Sequence, residues 1–230
     1  MSHYTVSVVI PKTVTENCIK RYIDEKMEPF SEHLEVDPYI GCTVEEMLER
    51  YNNYKERNKG DIIESFEEYS KDYCGAGNDE YGNALTTYNP QSKWDWYEIG
   101  GRWSGIIETK ESKEVNYARI KDIIFKKELN DLELQKIKKE YNQLIEKGDF
   151  YIPEYYQKRY PTLESYIESQ NFSTYAILDK EGNWHEPGQM GWFGVSSSTP
   201  EEEKDFQNKY MDIINLQDQD DWLVVVDCHI

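Results

Sequence analysis

Apolar and polar residues alternate over the start of this chain, until Val8-Val9-Ile10 closes the run. Tyr4, Val6, Val8 and Ile10 share one side of an extended segment, and His3, Thr5, Ser7 and Val9 share the other. That period predicts a β-strand, and Pro11 ends it. The period then changes: Cys18, Ile19, Tyr22 and Ile23 follow helical spacing and predict a helix over about 16–26. Thr43-Val-Glu-Glu46 has the form of a capping box and opens a helix to about Arg57. A shorter helix is expected over 61–73, then a Gly- and Asn-rich loop from Cys74 to Asn83. Residues 94–108 read as a strand, with Gly100-Gly101 marking a bulge or a close backbone approach. Residues 116–147 are charged and read as helical. A second cap lies at Asn130-Asp-Leu-Glu133 and a stop at Gly148. The apolar stripe there (Ile120, Ile123, Ile124, then Leu134, Ile137, Tyr141, Leu144) suits packing at a domain edge.

A short helix over 163–169 precedes a strand over 173–178. The hairpin loop Asp179-Lys-Glu-Gly-Asn183 leads into Trp184 and His185. Thr199-Pro-Glu-Glu202 combines a Thr cap, a first-turn Pro and dipole-favoured acids, and predicts a helix to about Asn215. Trp222–His229 is the last strand. Stripped of insertions the order is β-α-β-β-α-β, a ferredoxin-like antiparallel α+β fold. The expectation is a single α+β domain over 1–230, with a large helical insertion over 110–170. In that topology the first and last strands lie side by side and antiparallel. The strand over 173–178 also neighbours the first strand, running the other way.

Composition narrows the function classes. With Asp plus Glu at 45 against Lys plus Arg at 26, the net charge is −19. Binding a phosphate backbone needs a cationic footprint, so general nucleic-acid binding is disfavoured, and anionic membrane surfaces likewise. The hydrophobic fraction is only 38%, but 19 Tyr and six Trp supply large rings for a core. Cys18, Cys42, Cys74 and Cys228 form no C-x-x-C pair, which suits free thiols in a reducing, cytoplasmic setting. No signal peptide or membrane-spanning run is apparent.

Candidate chemistry gathers at the strand ends. Antiparallel pairing of the outer strands would bring His3 to Asp227 and His229, and could draw in His185. Asp227, His229 and His185 are then candidates for acid–base work, and His3, Asp227 and His229 for a divalent metal. Terminal histidines are equally often only solvated or hydrogen-bonded. Two aromatic segments supply walls: Trp94-Asp-Trp-Tyr-Glu-Ile-Gly-Gly-Arg-Trp103 and Trp184-His-Glu-Pro-Gly-Gln-Met-Gly-Trp-Phe-Gly194. Arg102 could hold an anion while Trp94, Trp96, Tyr97, Trp103 and Trp192 stack on a ring. In the alternative, Arg102 pairs with Glu98 or Asp95 and the indoles fill the core. The second segment lacks a P-loop pattern, and its glycines are read as turns placing Met190, Trp192 and Phe193 on a pocket wall.

The opening Met-Ser-His-Tyr-Thr-Val, the block Asn89-Pro-x-x-Lys-Trp-Asp-Trp-Tyr-x-Ile-Gly-Gly-Arg-Trp-Ser-Gly105, the Trp184–Gly194 run and the ending Val-Val-Val-Asp-Cys-His-Ile230 resemble a widespread set of uncharacterised bacterial and bacteriophage proteins. The resemblance covers those pieces and not the helical middle. It implies a phage or mobile-element setting, hence a role against host defence, and assigns no catalytic residue. Three functions are therefore weighed. One is binding of a small nucleotide-like or phosphorylated ligand. The second is metal-assisted or acid–base hydrolysis of such a ligand. The third is inhibition of a basic host defence protein by an acidic, nucleic-acid-like surface. An open sheet face would also allow a homodimer.

Overall fold

The computed structural model describes residues 2–58, 65–71, 75–191 and 194–230. The chain divides into two compact units, Met1–Glu28 with Lys93–Ile230, and Pro29–Ser92. Both are mixtures of helix and strand.

The elements follow in chain order. They are β1 (His3–Ile10), α1 (Ile19–Met27), β2 (Tyr39–Cys42), α2 (Val44–Arg57), α3 (Phe66–Lys71), β3 (Ala84–Thr86) and β4 (Trp96–Ile99). Next come β5 (Ile107–Glu108), β6 (Glu114–Val115), β7 (Tyr117–Arg119), α4 (Asp131–Lys147), α5 (Pro153–Arg159) and α6 (Leu163–Glu168). The chain continues through β8 (Ala176–Leu178), β9 (Trp184–His185), α7 (Pro200–Leu216) and β10 (Trp222–His229).

A mixed sheet of six strands organises the larger unit, in the order β4-β10-β1-β8-β9, with β7 also on β10. The antiparallel pairing of the first and last strands is as expected, with His3 opposite His229 and Thr5 opposite Asp227. The rest of the order departs from the ferredoxin-like pattern. β8 runs parallel to β1, and β4 sits on the far side of β10. Burial explains the arrangement. All three residues of β8 are buried, which suits an interior position, whereas β9 and β4 are half-exposed and take the edges.

Both sheet faces are covered. Val9, Ile177, Leu223 and Val225 pack against Phe206, Tyr210, Ile213 and Ile214 of α7. Tyr4, Val6, Val8 and Ile10 point to the opposite face, where α1 contacts β1 and buries Ile19, Ile23 and Met27. The face that carries His3 and Asp227 is therefore not bare along its apolar half. Tyr210 also reaches through that core, its hydroxyl 2.8 Å from the Ser7 Oγ. α7 begins as its sequence dictates: the Thr199 side chain accepts the Glu202 N–H in a capping box, with Pro200 in the first turn.

Two expected elements are shorter than their patterns suggested. The strand expected over 94–108 is β4 alone, followed by a 3-10 turn over Gly101–Trp103 and a small β5–β6 hairpin. The helix expected from residue 116 starts only at Asp131, under the Asn130 cap. Tyr117–Arg119 instead pair with β10, and Arg119 stacks its guanidinium 3.6 Å from the ring of Trp222, its register partner. Ile120 and Ile123 read as a helical stripe because they are three apart. They are buried in the α7-side core, one in a 3-10 turn and one in a loop.

In the smaller unit β2 and β3 pair antiparallel, with a bulge at Gly41, where an added Cβ would stand 2.7 Å from Thr86 Cγ2. α2 spans the predicted range under the Thr43–Glu46 capping box. The helix expected over 61–73 lies partly outside the described residues; its described part is α3.

Candidate functional site

The register of β1 on β10 puts His3 diagonally across from Asp227 and directly across from His229. The three side chains share one sheet face. The His3 Nδ1 lies 2.8 Å from Asp227 Oδ1, and the His229 Nδ1 lies 2.5 Å from Asp95 Oδ1. An ionised carboxylate only accepts, so both Nδ1 atoms carry the proton and donate. The His229 Nε2 is buried and meets no hydrogen-bond partner among the described residues.

Trp96 completes the group. It pairs with His229 in the sheet register and stacks on its ring, centroids 5.1 Å apart at 17°. His3 meets both rings edge-on, 5.3 Å from Trp96 and 4.9 Å from His229. Trp96 remains 44% exposed, whereas His229 is 5% exposed. The cluster is thus a closed floor of two imidazoles beneath a partly open indole.

The glycines explain how the segment docks there. Gly100 and Gly101 both adopt positive φ, 76° and 49°. A Cβ on Gly101 would stand 2.5 Å from Asp227 Oδ2, and one on Gly100 would stand 2.5 Å from Asn116. Only glycine lets this turn settle on the strand. The turn then aims the Arg102 N–H at Asp227 Oδ2, 3.0 Å away. Asn116 Oδ1 accepts the Gly105 N–H at 2.7 Å. Both oxygens of Asp227 are therefore engaged by the protein itself. Among the described residues, no group of three or more His, Cys, Asp or Glu is arranged to hold a metal ion.

The remaining sequence candidates divide. The Arg102 side chain is exposed and makes no ion pair with Glu98, Asp95 or any other described residue. Trp94 and Tyr97 leave the cluster. They pack edge-on at 5.0 Å, with Trp94 Nε1 donating to the Met27 carbonyl and the Tyr97 hydroxyl donating to Asp24. Burial, then that bond, pushes the Tyr97 phenol far above its ordinary pKa. Trp103 packs on the α7-side core. Trp192 lies outside the described residues. Met190 lines a cavity, but one walled by tyrosines that includes none of His3, Trp96, Arg102 or His229.

His185 is not drawn to His3. It sits on β9, three strands from β10, so roughly 14 Å of sheet separates it from His229. Its Nε2 instead donates to Asp179 Oδ2 at 2.9 Å. Burial opposes ionisation of Asp179. The bonds from His185 and Asn183 outweigh it and hold the carboxyl below its usual range. Cys228 faces away from its polar neighbours, opposite Tyr4 and Tyr97. Its burial, then Asp227 and Asp95, pushes the thiol well above its ordinary value.

Sequence reasoning missed Asp95 as a partner of His229. Asp95 precedes β4, so strand alternation does not govern its side chain. Its backbone N–H donates to the His229 carbonyl at 3.0 Å, which brings the carboxylate to the ring.

Compared with protein-family models, with curated proteins and with solved structures, the chain matches none.

Proposed function

We propose that the protein binds a small anionic ligand bearing a planar ring, of the nucleotide-like or phosphorylated class, at the His3–Trp96–His229 cluster. The observation that carries this reading is the buried His229 Nε2. A buried polar atom without a partner costs about 1–3 kcal/mol, and a hydrogen-bonding group of the ligand would recover it. Trp96 would stack on the ring, and Arg102, free of ion pairs, would meet the anion. Native mass spectrometry of protein purified from cells tests the proposal. A non-covalent small-molecule adduct is expected, and it should be lost from His229→Gln and Arg102→Ala variants. A bare-chain mass from native protein, together with no binding across a panel of mononucleotides, overturns it.

The two carboxylate-anchored imidazoles favour a second reading, in which the bound ligand is turned over. Paired histidines with fixed Nδ1 protons are suited to act as general base and general acid through their Nε2 atoms. This reading expects product from the adduct's ligand, with His3→Gln or His229→Gln abolishing turnover. Unchanged ligand after prolonged incubation removes it.

Across the described residues, no helix is long and apolar enough to cross a membrane.

A further inference from the structure

The larger unit carries a groove whose aromatic walls are tyrosines outside both tryptophan-rich segments. Its main compartment, about 370 Å3, is walled by Tyr151, Tyr155, Tyr160 and Tyr175. That volume falls within the roughly 300–1,000 Å3 typical of small-molecule sites. Tyr151 and Tyr155 stack on one another, centroids 4.2 Å apart at 23°. A second compartment of about 190 Å3 is lined by Lys126, Arg159 and Lys204 against a single carboxylate, Glu168. Arg159, Ser173 and Gln207 line both compartments, so the aromatic and cationic spaces meet there.

The charge pattern is unusual for a chain at −19. Lys126 and Lys204 are exposed and make no ion pair among the described residues. Arg159 pairs through Nη1 with Glu203, on the aromatic side. Glu203 is already satisfied, since Tyr155 donates to one oxygen at 2.8 Å and Ser198 to the other at 2.9 Å. That network holds Arg159 in place, while its Nε and Nη2 make no hydrogen bond to described residues. A positioned guanidinium with a free edge, beside two unpaired ammonium groups, is chemistry for a phosphate. Flat phenol rings with hydroxyls at their rims are chemistry for a base and its sugar.

We propose that this groove binds a mononucleotide, its base among the tyrosines and its phosphate between Lys126, Arg159 and Lys204. The inference stands independently of the histidine cluster.

Isothermal titration of the full chain tests it, using the four ribonucleoside 5′-monophosphates, ribose 5-phosphate and inorganic phosphate at low salt. At least one nucleotide should bind one-to-one, more weakly as salt rises. Lys126→Glu with Lys204→Glu should weaken that binding about tenfold or more. Lys204→Gln alone, a milder surface change, should weaken it several-fold and serves if the double variant does not fold. Lys71→Glu, the same charge reversal at an exposed lysine of the smaller unit, should leave it unchanged. The proposal is overturned if no nucleotide binds up to about 5 mM. It is also overturned if the lysine variants bind as well as the parent, or if ribose 5-phosphate or inorganic phosphate binds as tightly as the nucleotides. Loss of binding in Arg102→Ala, with the lysine variants unaffected, would assign the nucleotide to the histidine cluster and not to this groove.

Discussion

His3 donates through Nδ1 to Asp227 Oδ1 at 2.8 Å, a contact between side chains 224 positions apart in the chain. The same carboxylate accepts the Arg102 N–H through its other oxygen. Asp227 is 2% exposed and ties the first strand, the last strand and the glycine turn together.

Replacing Asp227 with Ala should leave two buried donors without an acceptor. The expected loss is about 2–3 kcal/mol in urea unfolding. Asp227→Asn keeps an oxygen for one of them and should cost less. Equal stability of parent and Asp227→Ala would show that the carboxylate does not hold the turn.

Gly101→Ala should be among the more damaging small substitutions. Its methyl would meet Asp227 at a backbone φ of 49°. Strain and displacement together predict about 2–3 kcal/mol of lost stability, visible as a lowered Tm. Gly75, with open space around its Cβ position and no positive φ, is the matched control and should tolerate Ala.

Asp179 predicts an acid-dependent contribution. Its pKa is lowered in the folded protein, so the stability it confers is complete above its unfolded value of about 3.9. That contribution is lost as the pH falls through the lower, folded value. Asp179→Asn should therefore be less stable than the parent at pH 6, with the gap closing toward pH 2. Urea unfolding at both pH values checks this, and a gap that widens in acid would contradict it.

The cysteines should differ in reactivity. Cys228 and Cys42 are buried with raised pKa values, through burial first in both cases, whereas Cys18 is partly exposed. Mass mapping after brief iodoacetamide treatment of the folded protein should find Cys18 modified ahead of Cys42 and Cys228. Early labelling of Cys228 would mean that the sheet opens readily near Asp227.

Much of the local structure was legible because it is encoded locally. Thr43, Asn130 and Thr199 announce their helices through neighbours three residues on, and each capping box forms. The alternation at His3–Ile10 and the apolar run at Trp222–Val226 marked both long strands, and their pairing gathered His3, Asp227 and His229. What failed depended on burial that no local pattern reports. β8 and β9 are too short for alternation to reveal which belongs inside, so the parallel pairing with β1 was missed. His185 was misplaced by the same error. Trp94 and Tyr97 were grouped with Trp96 as aromatic walls, but Trp94 lies before β4, and Tyr97 follows Trp96 on that strand and so takes its opposite face. The tyrosines of the groove were not connected because its walls come from α5, α7 and the loops around Tyr151, Tyr175 and Met190, which no spacing rule links.

β10 pairs along one edge with the whole of β1 and along the other with both β4 and β7. β4, β7 and one edge of β1 thus depend on a later strand for their main-chain partners. During synthesis those edges must wait, with hydrogen-bonding groups open, until β10 leaves the ribosome. Folding of this unit should therefore be a late, single event with high contact order and slow kinetics, and not a stepwise growth from the amino terminus.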